Sequence, residues 1–311
     1  MKKVKVAVVG VGHLGSLHAR IYSQLKSVNL IAVCDKDKER AKEIAKLNNT
    51  KPIFDHRDIL DKIEAVSIAV PTNKHYKIAK DFIQNKVHVL IEKPITETLK
   101  QANELLEEAK KNKVLLQVGH IERFNAAVKA LKKIIKKPKF IECHRLGPYK
   151  ARSSDIGVVL DLMIHDIDII LHLVRSKIKK IDAVGIKVLS KHEDIANARL
   201  TFKNNTICNI TSSRVSEDEV RKIRIFQKDA YVSLDYIMQE AQIYTKKNNK
   251  IVKKNIDIRK EEPLRVEIES FVNCIINRKR PVVSGEDAKI ALEVALKILK
   301  KLKGAGKWAK R

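Results

Sequence analysis

Three sets of residues in this chain have the types and spacing needed to bind a phosphate group and to transfer a proton. The first is the glycine motif GVGHLG at residues 10–15, the second is the pair Asp161 and His165, and the third is Lys93 in the tripeptide EKP. A glycine motif between a strand and a helix binds phosphate through backbone N–H groups and the helix N-terminus. A histidine held by a carboxylate can accept a proton near neutral pH. Together these residues indicate acid–base chemistry beside a bound nucleotide.

The glycine motif lies where a buried strand is expected to turn into a helix. Residues 3–9 form a short run rich in β-branched side chains, and residues 13–26 carry apolar side chains at helical spacing. Gly10 allows the tight turn, Gly12 leaves room for a pyrophosphate, and Gly15 lets the helix pack closely on the strand. The alternative is a plain strand–turn–helix that binds nothing.

An acidic residue at the end of the next strand favours the ligand-binding interpretation. Asp35 follows the strand predicted at 29–34 and lies 25 residues after Gly10, where a carboxylate can hold a ribose 2′-hydroxyl. Because this carboxylate would repel a 2′-phosphate, we expect the cofactor to be NAD rather than NADP.

Asp161 and His165 are four residues apart in an otherwise apolar segment, GVVLDLMIHDIDIILHLV. That spacing places both side chains on one face of a helix, where the carboxylate can orient the imidazole. Burying these groups unpaired would be costly, so their presence in an apolar helix indicates a function. In the alternative, Asp166 and Asp168 face solvent and His165 is a satisfied core residue.

Two loops after predicted strands carry further candidates. Residues 70–75, VPTNKH, follow the strand predicted at 65–70 and either run beneath a dinucleotide or simply begin the next helix. Lys93 follows the strand predicted at 87–92 and is fixed by Pro94, so it can point into a cleft. In a chain with 64 Lys and Arg, an ordinary surface lysine is the alternative.

The composition limits the classes of partner. The formal net charge is +27, but the lysines are spread along predicted helix faces and aromatic residues make up only 5%, which disfavours nucleic acid as a partner. Part of the excess charge can steer an anionic small molecule to the protein. The four cysteines are far apart in sequence, and no apolar run suits a signal peptide or a membrane helix. We therefore expect a cytoplasmic protein with no metal site and no membrane partner.

An alternating series of strands and helices is expected to position the candidate residues. Strands are predicted at 3–9, 29–34, 52–54, 65–70, 87–92 and 114–118, with helices at 13–26, 37–47, 57–62, 73–85 and 97–112. This α/β pattern predicts a Rossmann domain over residues 1–121, a doubly wound parallel sheet whose strand ends bring the candidates to one edge.

Residues 122–303 are expected to form a second domain of the α+β type. A run of strands without intervening helices, from 181 to 256, predicts a mostly antiparallel sheet. Two helices follow at 263–277 and 286–303, the last of which can pack back on the Rossmann domain, and residues 304–311 form a tail.

The motifs GVGHLGSLHAR, VPTNKH, EKP and DLMIHDIDI, in this order, resemble the glucose-fructose oxidoreductase/inositol dehydrogenase (Gfo/Idh/MocA) family over nearly the whole chain. The resemblance implies an NAD-dependent sugar dehydrogenase whose second domain contains a large open-faced sheet. It implies that Lys93 lies beside the nicotinamide and precedes a cis proline, Pro94. It also implies that Asp161 holds His165, the acid/base. The predicted cofactor-binding residues are Gly10, Gly12, His13, Leu14, Gly15, Asp35, Val70, Pro71, Thr72, Asn73, His75, Glu92 and Lys93.

Within the family, VGHIERFN, GPY and RSSDIGVVLDLMIHDID most resemble members that oxidise the 3-hydroxyl of UDP-N-acetylglucosamine. This resemblance implies a nucleotide-sugar substrate contacted by Glu122, Arg123, Tyr149, Arg152 and Asp168. Covering the exposed face of the open sheet implies a homo-oligomer, a dimer or a tetramer. Two alternatives stay open: a dehydrogenase of a free polyol such as an inositol, and a non-catalytic NAD-binding regulator.

Overall fold

A computed structural model of the protein describes residues 3–149, 156–248 and 250–305. The chain forms two compact units. The first holds residues up to 121 together with 262–289, and the second holds 122–261 together with residues from 290 on. Within the described ranges, no helix is long and apolar enough to cross a lipid bilayer.

The first unit is built on a six-stranded parallel sheet with the spatial order β3-β2-β1-β4-β5-β6. Its strands are β1 (Val4–Val9), β2 (Val28–Cys34), β3 (Lys51–Ile53), β4 (Ala65–Ile68), β5 (His88–Glu92) and β6 (Leu116–Gly119). The strand order reverses between β1 and β4, which is where doubly wound sheets bind their ligands. The predicted Rossmann architecture is confirmed.

Five helices belong to this unit: α1 (His13–Gln24), α2 (Lys38–Leu47), α3 (Thr72–Gln84), α4 (Leu99–Asn112) and, from much later in the chain, α7 (Pro263–Ile276). Ile268 and Phe271 of α7 are fully buried in the same apolar cluster as Val6 of β1 and Ile21 of α1. The short helix predicted at 57–62 is instead a 3₁₀ helix, His56–Ile59.

The second unit contains an eight-stranded sheet with the order β14-β13-β12-β11-β7-β10-β9-β8. Its strands are β7 (Phe140–Leu146), β8 (Ile178–Ile186), β9 (Ile195–Phe202), β10 (Ile207–Ser213), β11 (Val220–Phe226), β12 (Ala230–Asp235), β13 (Glu240–Lys247) and β14 (Lys250–Ile256). The pair β7–β10 is parallel and the other neighbours are antiparallel, which confirms the predicted mostly antiparallel sheet.

One face of this sheet is covered by helices. Apolar side chains of α5 (Ala126–Ile134), α6 (Ile164–Val174) and α8 (Gly285–Ala305) are buried in a single core with the inward residues of the strands. A π-helical turn, Val159–Met163, precedes α6, so the segment predicted as one continuous helix changes its hydrogen-bonding pattern there. Such turns are frequent at functional sites.

Candidate active site

The glycine motif joins β1 to α1 in the conformation that its residue types require. Gly10 has a φ of +83°, and a Cβ atom on it would lie 2.6 Å from the carbonyl oxygen of Ala69. A Cβ on Gly15 would collide with the carbonyl oxygen of Gly10. By contrast, no atom in the described part of the chain lies within 4 Å of a Cβ built on Gly12. Packing within the protein therefore does not require glycine at this position, and the open space fits a closely approaching pyrophosphate.

The N-terminus of α1 borders this open space. No side chain among the described residues caps the helix, and its first two side chains, His13 and Leu14, are exposed. The N–H groups at a helix start attract an anion, so this half of the motif fits the phosphates of a dinucleotide.

Asp35 is held beside the glycine motif at the end of β2. Its Oδ2 accepts a hydrogen bond from the Val11 N–H at 2.9 Å, and its Oδ1 accepts one from the Asp37 N–H at 3.0 Å. The Arg40 guanidinium lies 3.8 Å from Oδ2. Backbone donors therefore orient both carboxylate oxygens of Asp35 beside the glycine motif, and its role in ribose recognition stays a prediction.

We expect the protein to bind NAD more tightly than NADP by at least about tenfold, or about 1.4 kcal/mol, because the Asp35 carboxylate would repel a 2′-phosphate. Isothermal titration calorimetry measures both affinities. The Asp35→Asn variant should show a smaller ratio of NAD affinity to NADP affinity than the wild type. Asp37→Asn is the matched control, because Asp37 caps α2 two residues away and also contacts Arg40. Equal or tighter binding of NADP by the wild type would contradict the assignment.

The loop after β4 carries the next predicted residues. Val70 and Thr72 are partly exposed, and Pro71 and Asn73 are exposed, at the carboxyl edge of the sheet. His75, by contrast, is buried, and its ring nitrogens lie within hydrogen-bonding distance of two backbone carbonyl oxygens.

The end of β5 holds Glu92 and Lys93. The Glu92 carboxylate lies 3.3 Å from Nε2 of the buried His18 and accepts a hydrogen bond from the Lys93 N–H at 3.3 Å. A Cβ on Gly119 of the neighbouring strand would lie 2.8 Å from both Glu92 oxygens, so glycine makes room for this carboxylate. Burial raises the pKa of Glu92, but the contact with His18 and the charges of Lys93 and His75 together outweigh it, and the net direction is downward. The Lys93–Pro94 peptide bond is cis.

A second carboxyl group lies close enough to Glu92 for the two to interact electrostatically. Glu267 of α7 is completely buried, and neither of its carboxyl oxygens has a hydrogen-bond partner among the described residues. Burial, and then the negative charge of Glu92, raise the pKa of Glu267 well above its ordinary value. The folded protein therefore favours the protonated, neutral form of Glu267, and ionising this side chain costs stability.

Glu267→Gln is expected to stabilise the protein increasingly as the pH rises. A raised folded-state pKa makes the wild type lose stability from the ordinary glutamate pKa upward, by at most about 1.4 kcal/mol per pH unit. The glutamine variant lacks this loss. Urea unfolding at a series of pH values measures the difference, and Glu269→Gln on the same helix is the exposed control. Parallel pH dependences for Glu267→Gln and the wild type would contradict the raised pKa of Glu267.

In the second unit, Asp161 lies in the π-helical turn and His165 in the first turn of α6. Both side chains are partly buried, whereas Ile164 and Ile167 between and beside them are fully buried in the core. The Asp161 N–H donates to the carbonyl oxygen of Gly157 at 3.0 Å. The predicted pair therefore lies on the less buried side of this segment.

Arg145 binds two carboxylates inside this unit. Its guanidinium donates from Nε and Nη2 to the two oxygens of Asp166, at 2.9 and 3.1 Å, and from Nη1 to Glu122 at 2.9 Å. It also lies 5.1 Å from the ring centre of the buried Tyr236. Burial raises the pKa of Asp166, although the nearby guanidinium opposes it. The alternative in which Asp166 faces solvent is wrong, because the side chain is buried against Arg145.

A second buried ion pair involves two of the predicted substrate residues. Nε of Arg123 lies 2.9 Å from Oδ2 of Asp168, and both side chains are buried, so Asp168 does not face solvent either. Tyr149 is 37% exposed after β7. Arg152, the remaining predicted substrate residue, lies outside the described residues.

Sequence analysis missed four buried polar residues that surround the candidate groups. Three of them carried a usable signal. Arg145 shares the inward face of β7 with Ile141 and Cys143 at a period of two, so a buried partner was required. His18 lies on the apolar face of α1, and Glu267 lies on that of α7. Tyr236 follows the end of a strand and carried no such signal.

The fold and these residues define a class of protein. An open glycine loop between a strand and a helix, with a fixed aspartate directly after the second strand, is typical of a dinucleotide-binding Rossmann domain. Residues 4–120 match the oxidoreductase family with an NAD-binding Rossmann fold, and residues 137–232 match the GFO/IDH/MocA C-terminal domain. The chain belongs to the GFO/IDH/MocA family, which confirms the predicted family, and NAD is its cofactor.

Known relatives cover almost the whole chain. UDP-N-acetylglucosamine 3-dehydrogenase from Acidithiobacillus ferrooxidans is 34% identical over 96% of this chain and 97% of its own. A solved structure of that enzyme superposes with a TM-score of 0.93, covering 98% of this chain and 99% of the other. Myo-inositol 2-dehydrogenase from Thermotoga maritima is 25% identical over 93% of both chains.

Proposed function

We propose that the protein oxidises the 3-hydroxyl of UDP-N-acetylglucosamine to a ketone with NAD. The observation that carries this proposal is the similarity over the full chain to the Acidithiobacillus 3-dehydrogenase, 34% identical, against 25% for the myo-inositol enzyme. The positive net charge of +27 supports it, because a substrate with two phosphates is attracted to such a protein.

Three residues are assigned to the reaction. When bound, NAD supplies the hydride acceptor. His165 takes the proton of the 3-hydroxyl, and Asp161 orients its imidazole and stabilises the imidazolium that forms. Lys93 hydrogen-bonds the reacting oxygen and stabilises the negative charge that develops there as the proton leaves. The presence of all three argues against a non-catalytic regulator.

Substrate contacts are assigned to Glu122, Arg123, Tyr149, Arg152 and Asp168. The charge of Arg123 is balanced by Asp168, and the Glu122 carboxylate shares Arg145 with Asp166. Neither arginine offers the uncompensated positive charge that a pyrophosphate needs, so these groups suit the hydroxyl groups of a sugar better. We therefore assign the phosphates to Arg152 and the sugar or uracil face to Tyr149.

A substrate panel tests this function. Nucleotide sugars and free polyols are each incubated with the protein and NAD, and NADH is followed by absorbance with a carbonyl trap to draw the reaction forward. UDP-N-acetylglucosamine should reduce NAD, and added salt should raise its KM more than it changes kcat, because screening weakens phosphate contacts. If a free polyol reduces NAD and UDP-N-acetylglucosamine does not, the polyol function replaces this one.

We also propose a homo-oligomer, a dimer or a tetramer, in the cytoplasm. The sheet face opposite the helices presents Ile186, 58% exposed, and a stack of Phe226, Tyr231 and Tyr244 with ring centres 4.8 and 4.7 Å apart. Apolar surface of this kind favours a partner. The four cysteines are free thiols, which suits a reducing compartment. Light scattering should give a multiple of the mass of one chain, and a monomer would contradict the proposal.

A further inference from the structure

His75 lies in the first turns of α3, fully inside the first unit, and its ring connects two turns of the backbone. Nδ1 lies 2.9 Å from the carbonyl oxygen of Pro94, and Nε2 lies 2.8 Å from the carbonyl oxygen of Val70. The first oxygen belongs to the residue after Lys93, and the second belongs to the loop after β4. One side chain therefore joins the two loops that sequence analysis assigned to the cofactor.

The chemistry of the two partners restricts the protonation state of this histidine. A carbonyl oxygen only accepts hydrogen bonds, and a neutral imidazole carries a single N–H. Neutral His75 can satisfy one carbonyl, and its other nitrogen then faces an oxygen with a lone pair. Only the imidazolium donates to both Val70 and Pro94.

We propose that His75 is a positioning residue for Lys93: as an imidazolium it ties the Lys93–Pro94 turn to the Val70 loop, and NAD binds best to this joined form. The role of Lys93 rests on the function proposed above, whereas the bridge itself rests on the contacts of His75. When His75 loses a proton, one of its two hydrogen bonds is lost and the turn that carries Lys93 is held less firmly.

The residues around α3 determine the pH range in which His75 loses its proton. Burial lowers the pKa of His75. The two carbonyls, the charge of Glu92 on β5 and a backbone contact with Ile95 oppose burial, but the net direction is downward. On α4, Glu104 interacts with Tyr76 and lies 3.9 Å from Lys80, while β4 contributes only Ala, Val, Ser and Ile. Both hydrogen bonds of His75 therefore form at pH values below the ordinary histidine pKa, and one of them is lost at higher pH.

Calorimetry of NAD binding without any sugar tests the proposal. The wild type should bind NAD more tightly at about pH 5.5 than at about pH 8, with proton uptake at intermediate pH seen as a heat that depends on the buffer. His75→Gln, whose amide donates at every pH, should bind NAD with a smaller dependence on pH and less proton uptake than the wild type. His75→Leu should weaken NAD binding by roughly tenfold at the lower pH, the effect of lost buried hydrogen bonds. His192→Gln, at an exposed histidine of the second unit, is the control and should behave as the wild type.

A measurement on the wild type alone tests the proposal even if the variants misfold. In ¹⁵N spectra of the NAD complex, both ring nitrogens of His75 should carry protons at the lower pH. A neutral His75 in that spectrum, or the same pH dependence of NAD affinity in the wild type and His75→Gln, would overturn the proposal. Failure of UDP-N-acetylglucosamine as a substrate would leave these results unchanged, so the two proposals fail separately.

Discussion

His165→Ala is expected to lower kcat by roughly 10²–10⁴-fold, the usual contribution of a general base, with NAD affinity nearly unchanged. The reason is that the proposed role of the imidazole is to accept the hydroxyl proton, whereas the glycine motif predicted to bind the cofactor is in the other unit of the chain. Lys93→Ala should also remove most turnover, because the reacting oxygen loses its hydrogen-bond donor. Steady-state kinetics with NAD and UDP-N-acetylglucosamine, together with calorimetry of NAD, measure both effects.

His172→Ala provides a matched control for the base, because His172 lies on the same helix, α6, seven residues further along. This variant should keep near-normal turnover. If His165→Ala turns over as fast as the His172 variant, the base has been assigned to the wrong residue.

Arg145→Met is expected to lower the free energy of unfolding by about 3–5 kcal/mol, the cost of leaving buried charge without its partner. The guanidinium is buried and binds both Asp166 and Glu122, so its removal leaves two carboxylates uncompensated. Urea unfolding followed by circular dichroism measures the loss.

Arg224→Met is the control for this variant. Arg224 lies on the neighbouring strand β11, 50% exposed and 3.5 Å from Glu142, so its ion pair is screened by water. Its replacement should cost less than about 1 kcal/mol. Adding Asp166→Asn and Glu122→Gln to Arg145→Met should recover part of the lost stability. Equal losses for the two arginine variants would contradict the buried network.

The cofactor half of the protein could be predicted from sequence because its signals are local. A strand, three glycines and a helix occupy adjacent residues, and Asp35 follows at the distance that one strand–helix–strand unit requires. The packing of α7 in the same unit could not be predicted. Its apolar side chains, Ile268 and Phe271, require a core but do not identify which core.

The substrate-binding half was predicted less completely, because its polar side chains form ion pairs between different secondary-structure elements. The spacing of Asp161 and His165 within one helix is visible in the sequence, but the partners of Arg145 come from a 3₁₀ helix and from α6. Sheet pairing also depends on distant residues, and the parallel pair β7–β10 is separated by two other strands in sequence.

The most direct test of the proposed function follows the hydrogen on C3 of UDP-N-acetylglucosamine. Substrate carrying deuterium at C3 is incubated with the protein, NAD and a carbonyl trap, and the NADH formed is analysed by mass spectrometry. Direct hydride transfer from C3 predicts deuterium in the nicotinamide ring of NADH and a trapped ketone at C3 of the sugar. NADH without deuterium, or no NADH from this substrate while a free polyol yields it, would contradict the proposed reaction.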